Sequence, residues 1–153
     1  MKKWLKITVT ALPFLYMILI WILSSLPHNA VVELSNGTVD RFLKESLHLV
    51  EFGILHLLFI AALLVHGRLT SATHALAAVF AAFYGFIDEI HQAFVPYRSA
   101  TVIDAVKDLI GVLLVYMIVQ RFYFSKRSNW LRSVFVRIEE WFGYRKKESP
   151  DQW

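Results

Sequence analysis

The chain has 153 residues, of which 57% are hydrophobic, 15% aromatic and only 18% charged. This exceeds the roughly 45–50% apolar content of soluble proteins and reads as a one-domain integral membrane protein. The absence of cysteine excludes a disulfide framework, a thiolate nucleophile and a thiolate metal ligand. The net charge of +4 sits on lysines and arginines that cluster at the two ends and flank apolar runs, which fits membrane topology and anionic lipid and argues against nucleic acid.

The first apolar run covers about residues 7–26 behind Lys2, Lys3 and Lys6. Its length, about 20 residues, suits a membrane-crossing helix and is long for a signal peptide, so it is expected to be retained. Pro13 lies inside it, and Ser24-Ser25-Leu26-Pro27 closes it. Residues 28–45 read as the longest polar connection, with Asn36-Gly37 as a turn and Asn36-Gly37-Thr38 as a weak glycosylation match. The second run, about residues 46–65, carries His48, Glu51 and His56 and stops at Gly67. The third, about residues 72–95, begins with alanines that permit close helix packing and ends in Asp88-Glu89-Ile90-His91-Gln92. The fourth, about residues 101–122, opens with Thr101 as N-cap and Asp104 three residues on, a capping box, and contains Lys107, Asp108 and Gly111, the last allowing a neighbouring helix close approach.

Residues 1–124 are therefore predicted to form an all-α, four-helix transmembrane bundle. Residues 125–153 follow as a basic tail, in which Trp130, Leu131, Val134, Phe135, Ile138, Trp141 and Phe142 recur at helical spacing opposite Arg132, Arg137 and Glu140. This spacing predicts an amphipathic helix lying in the membrane interface. Most lysines and arginines fall at the termini and around Arg68, whereas the opposite connections hold only Arg41, Lys44 and Arg98. The positive-inside rule thus puts both termini in the cytoplasm.

This topology collects the polar residues of all four runs in the outer half of the membrane. With a rise of about 1.5 Å per residue, Asp88 falls about 12 Å below Pro96 and Asp108 about 10 Å below Thr101. His48 and Glu51 share a helix face, as do Asp88, His91 and Gln92. The inner half is nearly featureless, and His56, His66 and His74 read as structural. The predicted pocket comprises His48, Glu51, Asp88, Glu89, His91, Gln92, Arg98, Asp104 and Asp108. Ionisable groups in apolar helices cost about 2.5–3.5 kcal/mol each on insertion and tend to mark function.

Structural readings stand beside this one. Asp104 is accounted for by its cap, Asp108 by an ion pair with Lys107 or Arg98, His91 by a backbone hydrogen bond, and Gln92 by a bond across helices. The chemistry stays open as well. His91 with Asp88 or Glu89 suits general acid–base catalysis, and Asp88, His91, His48 and Glu51 suit a metal such as zinc. Arg98 suits a phosphate or carboxylate, as on a lipid-linked head group. Ser24 and Ser25 have no flanking motif for a nucleophile, and the residues name no cofactor.

The chain resembles the VanZ-like family of bacterial membrane proteins over about residues 15–122. The resemblance rests on Ser24-Ser25-x-Pro27, His48-x-x-Glu51 and, above all, Asp88-Glu89-x-His91-Gln92-x-Phe94-x-Pro96-x-Arg98 with Asp104 and Gly111. The chain departs from the family pattern at Phe52, Tyr97 and Asp108. The resemblance implies a bacterial cytoplasmic-membrane location and a link to glycopeptide resistance, teicoplanin in particular. The leading expectation is a cell-envelope protein whose outward pocket binds a lipid-linked cell-wall precursor or a lipoglycopeptide, with membrane lipid around it. An enzyme acting on an envelope lipid is the alternative. A small transporter is third, because four helices with an apolar inner half offer no path. The oligomeric state is left open.

Overall fold

The computed structural model describes residues 2–26, 37–96, 101–124 and 130–144, and for residues 37–48 the backbone alone. The described residues form α1 (Lys2–Ser24), α2 (Gly37–Val65), α3 (Ser71–Ala93), α4 (Val102–Phe122) and α5 (Trp130–Phe142), with no strand among them. The first four helices run alternately up and down. α2 and α4 make the closest pair, with α1 packed on α2 and α3 on α4.

The helix boundaries follow local chemistry. α2 ends in a Schellman motif: Gly67 takes φ +63°, Arg68 N–H donates to Leu63 O at 2.9 Å, and Gly67 N–H donates to Leu64 O at 3.0 Å. α4 starts at its predicted cap, where Thr101 Oγ1 accepts from Asp104 N–H at 3.2 Å and donates to Asp104 Oδ2 at 2.6 Å. α3 has a full capping box between Thr70 and Thr73.

Two sequence expectations are corrected. The polar connection expected over residues 28–45 is helical from Gly37 onward. Val39, Phe42, Leu43 and Leu47 already follow helical spacing there, and helix propagation costs little once the longer apolar run behind them is formed. α3 stops at Ala93, two residues short of the predicted end, as Phe94 and Val95 turn back to His91 O and Gln92 O.

The bundle exposes many large apolar side chains and buries several polar ones beside an apolar core that includes Ile20, Phe52, Leu55 and Val112. Leu76, Val79, Phe83 and Phe86 of α3 are exposed, whereas Ser24, His56, His74, Asp88, Glu89, Gln92 and Asp108 are buried. α1 and α3 are each long and apolar enough to cross a membrane, and the apolar part of α2 spans Leu49–Val65. α4 is interrupted by Asp104, Lys107 and Asp108.

α5 is the helix expected over this stretch. Phe135 and Ile138 on its apolar face pack on Ile60, Leu64, Leu69, Val119 and Tyr123 at the end of the bundle. Tyr123 Oη donates to the buried Glu139 Oε1 at 2.7 Å. Trp130 and Trp141 face outward. Tyr144, just past α5, lies against Gly67, so a side chain at position 67 meets both an unfavourable φ and an aromatic ring. Gly67→Ala should cost about 1–2 kcal/mol from the left-handed conformation alone. A lowered thermal midpoint together with faster proteolysis of the 125–153 segment would report it.

Candidate functional site

The last turn of α1 meets the last two turns of α3. Ser24, the final residue of α1, donates from Oγ to Asp88 Oδ2 at 2.8 Å. Gln92, one turn beyond Asp88, donates from Nε2 to the same oxygen at 2.6 Å and reaches Ser24 Oγ at 3.4 Å. All three are buried, and Asp88 is 0% exposed. The predicted stripe Asp88–His91–Gln92 thus divides its work. Asp88 and Gln92 close a buried triangle with Ser24, and Gln92 bonds across helices as expected.

His91 turns to the neighbouring serine. Its Nε2 lies 2.9 Å from Ser25 Oγ, and that hydroxyl also reaches Trp21 O, one turn back, at 2.7 Å. A hydroxyl carries one proton. With that proton given to Trp21 O, Ser25 accepts from His91 Nε2–H, and Nδ1 is the ring's acceptor nitrogen. The indole of Trp21 stacks on the imidazole, with centroids 3.8 Å apart and planes at 22°. Nothing in the sequence marked Trp21. A residue seven positions beyond Phe14 on an apolar stripe reads as lipid-facing, and its partner lies 70 residues away.

α2 and α4 bring the remaining acids to the same end. Asp108 is buried against the backbone of α3 at Gly85, where an added Cβ would lie 3.3 Å from Asp108 Cβ. Glu89, Asp88, Glu51 and Asp104 are all within electrostatic reach of Asp108. Glu89 is buried and Glu51 half-buried. Lys107 pairs with Asp104 at 3.0 Å, so the lysine expected for Asp108 has a partner one turn earlier. His48 has a described backbone in α2 but no described side chain, and Arg98 lies outside the described residues. Among the described residues, no three of His, Cys, Asp and Glu come together closely enough to hold a metal ion; the candidate set Asp88, His91, His48 and Glu51 includes a histidine whose side chain lies outside them.

The expectation of a featureless inner half is also corrected. His56 and His74 are both 0% exposed and stack with centroids 5.1 Å apart. Tyr116 stacks on His74 at 4.6 Å. His56 Nδ1 reaches Val112 O at 3.3 Å. The pair joins α2 to α3 across a distance in sequence that no local spacing reveals. Replacing a poorly bonded buried ring by an apolar ring of similar shape is close to neutral or stabilising. His74→Phe should therefore keep the thermal midpoint of the purified protein within a few degrees, whereas His74→Ala, which opens a cavity, should lower it clearly.

Residues 8–125 match the family profile described as VanZ/LLP1. No curated protein and no solved structure matches the chain.

Proposed function

The chain belongs to the VanZ/LLP1 family, and we propose that it is a multi-pass protein of the bacterial cytoplasmic membrane whose outward-facing polar site binds a lipid-linked or lipoglycopeptide-like ligand and lowers sensitivity to teicoplanin. In this reading α1 to α4 all cross the membrane and both termini are cytoplasmic. The observation that carries it is the gathering of Ser24, Asp88, Glu89, Gln92 and Asp108, all buried, at the end of the bundle opposite Lys2, Lys6 and Arg68. Such groups in an apolar layer favour a bound polar partner, and the positive-inside rule favours the lysine-rich end as cytoplasmic. In α4, Asp104, Lys107 and Asp108 all lie in the first two turns, at the site end.

Expression of the protein should raise the teicoplanin concentration needed to stop growth, and Asp88→Asn at matched expression should remove the rise. An unchanged inhibitory concentration on expression of the intact protein counts against the reading.

A second reading is supported by His91. An imidazole fixed on one nitrogen by Ser25 and on one face by Trp21, with Nδ1 as acceptor, is oriented for general base catalysis on an envelope lipid. Ser25 is a poor nucleophile in this arrangement, because its proton is given to Trp21 O and not to the histidine. On this reading His91→Gln removes turnover of a lipid substrate and leaves ligand retention in place. Equal loss of both would favour binding alone.

A further inference from the structure

Below the polar site, α1 and α3 part to form a groove of about 360 Å³ lined by Phe14, Met17, Ile18, Trp21 and Tyr84. Tyr84 carries the only side-chain hydroxyl in this wall, and it is turned inward to donate to Met17 O at 2.7 Å. The groove therefore presents almost nothing but carbon. Phe14 and Ile18 on its rim are 54% and 57% exposed, so it opens on the apolar flank of the bundle. Two of its lining residues adjoin the polar site. Trp21 stacks on His91, and Asp88 stands one helical turn beyond Tyr84.

The polar site beside this cleft has a definite hydrogen-bonding sense. Asp88 Oδ2 already receives Ser24 and Gln92, while the buried Oδ1 has no hydrogen-bond partner. His91 gives its Nε2–H to Ser25, which leaves Nδ1 to accept. Both unspent groups are acceptors, so the head group they fit is a donor. An ammonium has three N–H donors and a charge that strengthens each bond to a carboxylate. The phosphate suggested by Arg98 in the sequence would find no donor in either of these two groups.

We infer that the α1–α3 cleft is a binding site for a membrane lipid with an ammonium head group, one hydrocarbon chain lying along Phe14, Met17, Ile18, Trp21 and Tyr84 and the ammonium donating to Asp88 Oδ1 and His91 Nδ1. This rests on the proposed outward-facing, ligand-binding site and names the ligand's chemistry.

The test uses the full-length protein in vesicles containing a trace of phosphatidylethanolamine or phosphatidylglycerol with a photoreactive group on one acyl chain. Ethanolamine lipid should label Met17, Ile18 and Tyr84 in preference to the outward Val79, Phe83 and Phe86 of α3. It should do so about tenfold more than glycerol lipid, the ratio expected from one hydrogen bond to a charged group. Ile18→Trp fills the groove and should abolish this labelling while leaving Phe83 and Phe86 labelled. Asp88→Asn should erase the head-group preference, because the amide oxygen stays with Gln92 and Ser24 and the amide N–H groups then face the ammonium. Circular dichroism checks that both variants fold, and Ile18→Trp supplies the test if Asp88→Asn does not. Even labelling around α1 and α3, or labelling at least as strong with glycerol lipid, overturns the inference. If that result coincides with a teicoplanin shift that Asp88→Asn still removes, the lipid site falls and the proposed function stands.

Discussion

Gly111→Ala should disrupt the bundle, with most of the protein lost to aggregation or proteolysis at matched expression, whereas Gly53→Ala, on the facing helix, should be nearly silent. The two glycines look alike in sequence, and each lies in the α2–α4 contact. They differ in what a Cβ would meet. At Gly53 the nearest atom is Gly111 O at 3.4 Å, an ordinary contact. At Gly111 the new carbon would overlap the carbonyl of Leu49, a backbone group with no rotamer in which to escape. Overpacking a tight core costs about 1–3 kcal/mol when side chains can yield. Here the two helices themselves must separate, so the loss should reach the upper end of that range or pass it, against a total stability of about 5–15 kcal/mol. Separation of α4 also carries Asp108, one turn before Gly111, away from its place against Gly85. Thermal midpoints of the two variants in the same detergent would check the contrast, and equal midpoints would show that the helices are not in close contact at Leu49.

Asp88→Ala should abolish the teicoplanin shift and lower stability together, with a much larger effect than Ser24→Ala. The alanine removes the one oxygen that receives both Ser24 Oγ at 2.8 Å and Gln92 Nε2 at 2.6 Å. Ser24 Oγ–H then loses its buried acceptor, at about 1–3 kcal/mol, and Gln92 loses its 2.6 Å bond as well. Ser24→Ala takes away one donor and leaves Asp88 bonded to Gln92, for a net loss of about 0.5–1.5 kcal/mol. Thermal unfolding gives the stability ratio, and inhibitory concentrations at matched expression give the functional one. Similar small effects from both substitutions would mean that Asp88 does not organise this end of the bundle.

Much of this was legible in the sequence where a residue's neighbours in space are also its neighbours in the chain. The apolar runs, the stop at Gly67, the cap at Thr101 and the close approach at Gly111 each depend on local backbone chemistry, and the structure has them there. The shared face of Asp88 and Gln92 was readable from helical spacing. The start of α2 was missed because the turn signal Asn36-Gly37 and the polar residues after it outweighed a weak apolar period. Trp21 was missed because a tryptophan on an apolar stripe reads as lipid-facing until its partner is known. The stacking of His56 on His74 and the pairing of Lys107 with Asp104 are choices among side chains that spacing leaves open. The metal reading rests on residue types and stays open. Its residues lie on different helices, and ligand geometry between helices is not written in the spacing within any one of them.

The central claim is that the Ser24–Asp88–His91 end of the bundle faces outward. The absence of cysteine makes the decisive measurement simple. Arg98→Cys and Arg68→Cys, one beyond each end of α3, are treated in intact cells with a membrane-impermeant maleimide. Labelling of Arg98→Cys in intact cells, with Arg68→Cys labelled only after permeabilisation, is the predicted result. The opposite pattern would put the polar site in the cytoplasmic half and contradict the account.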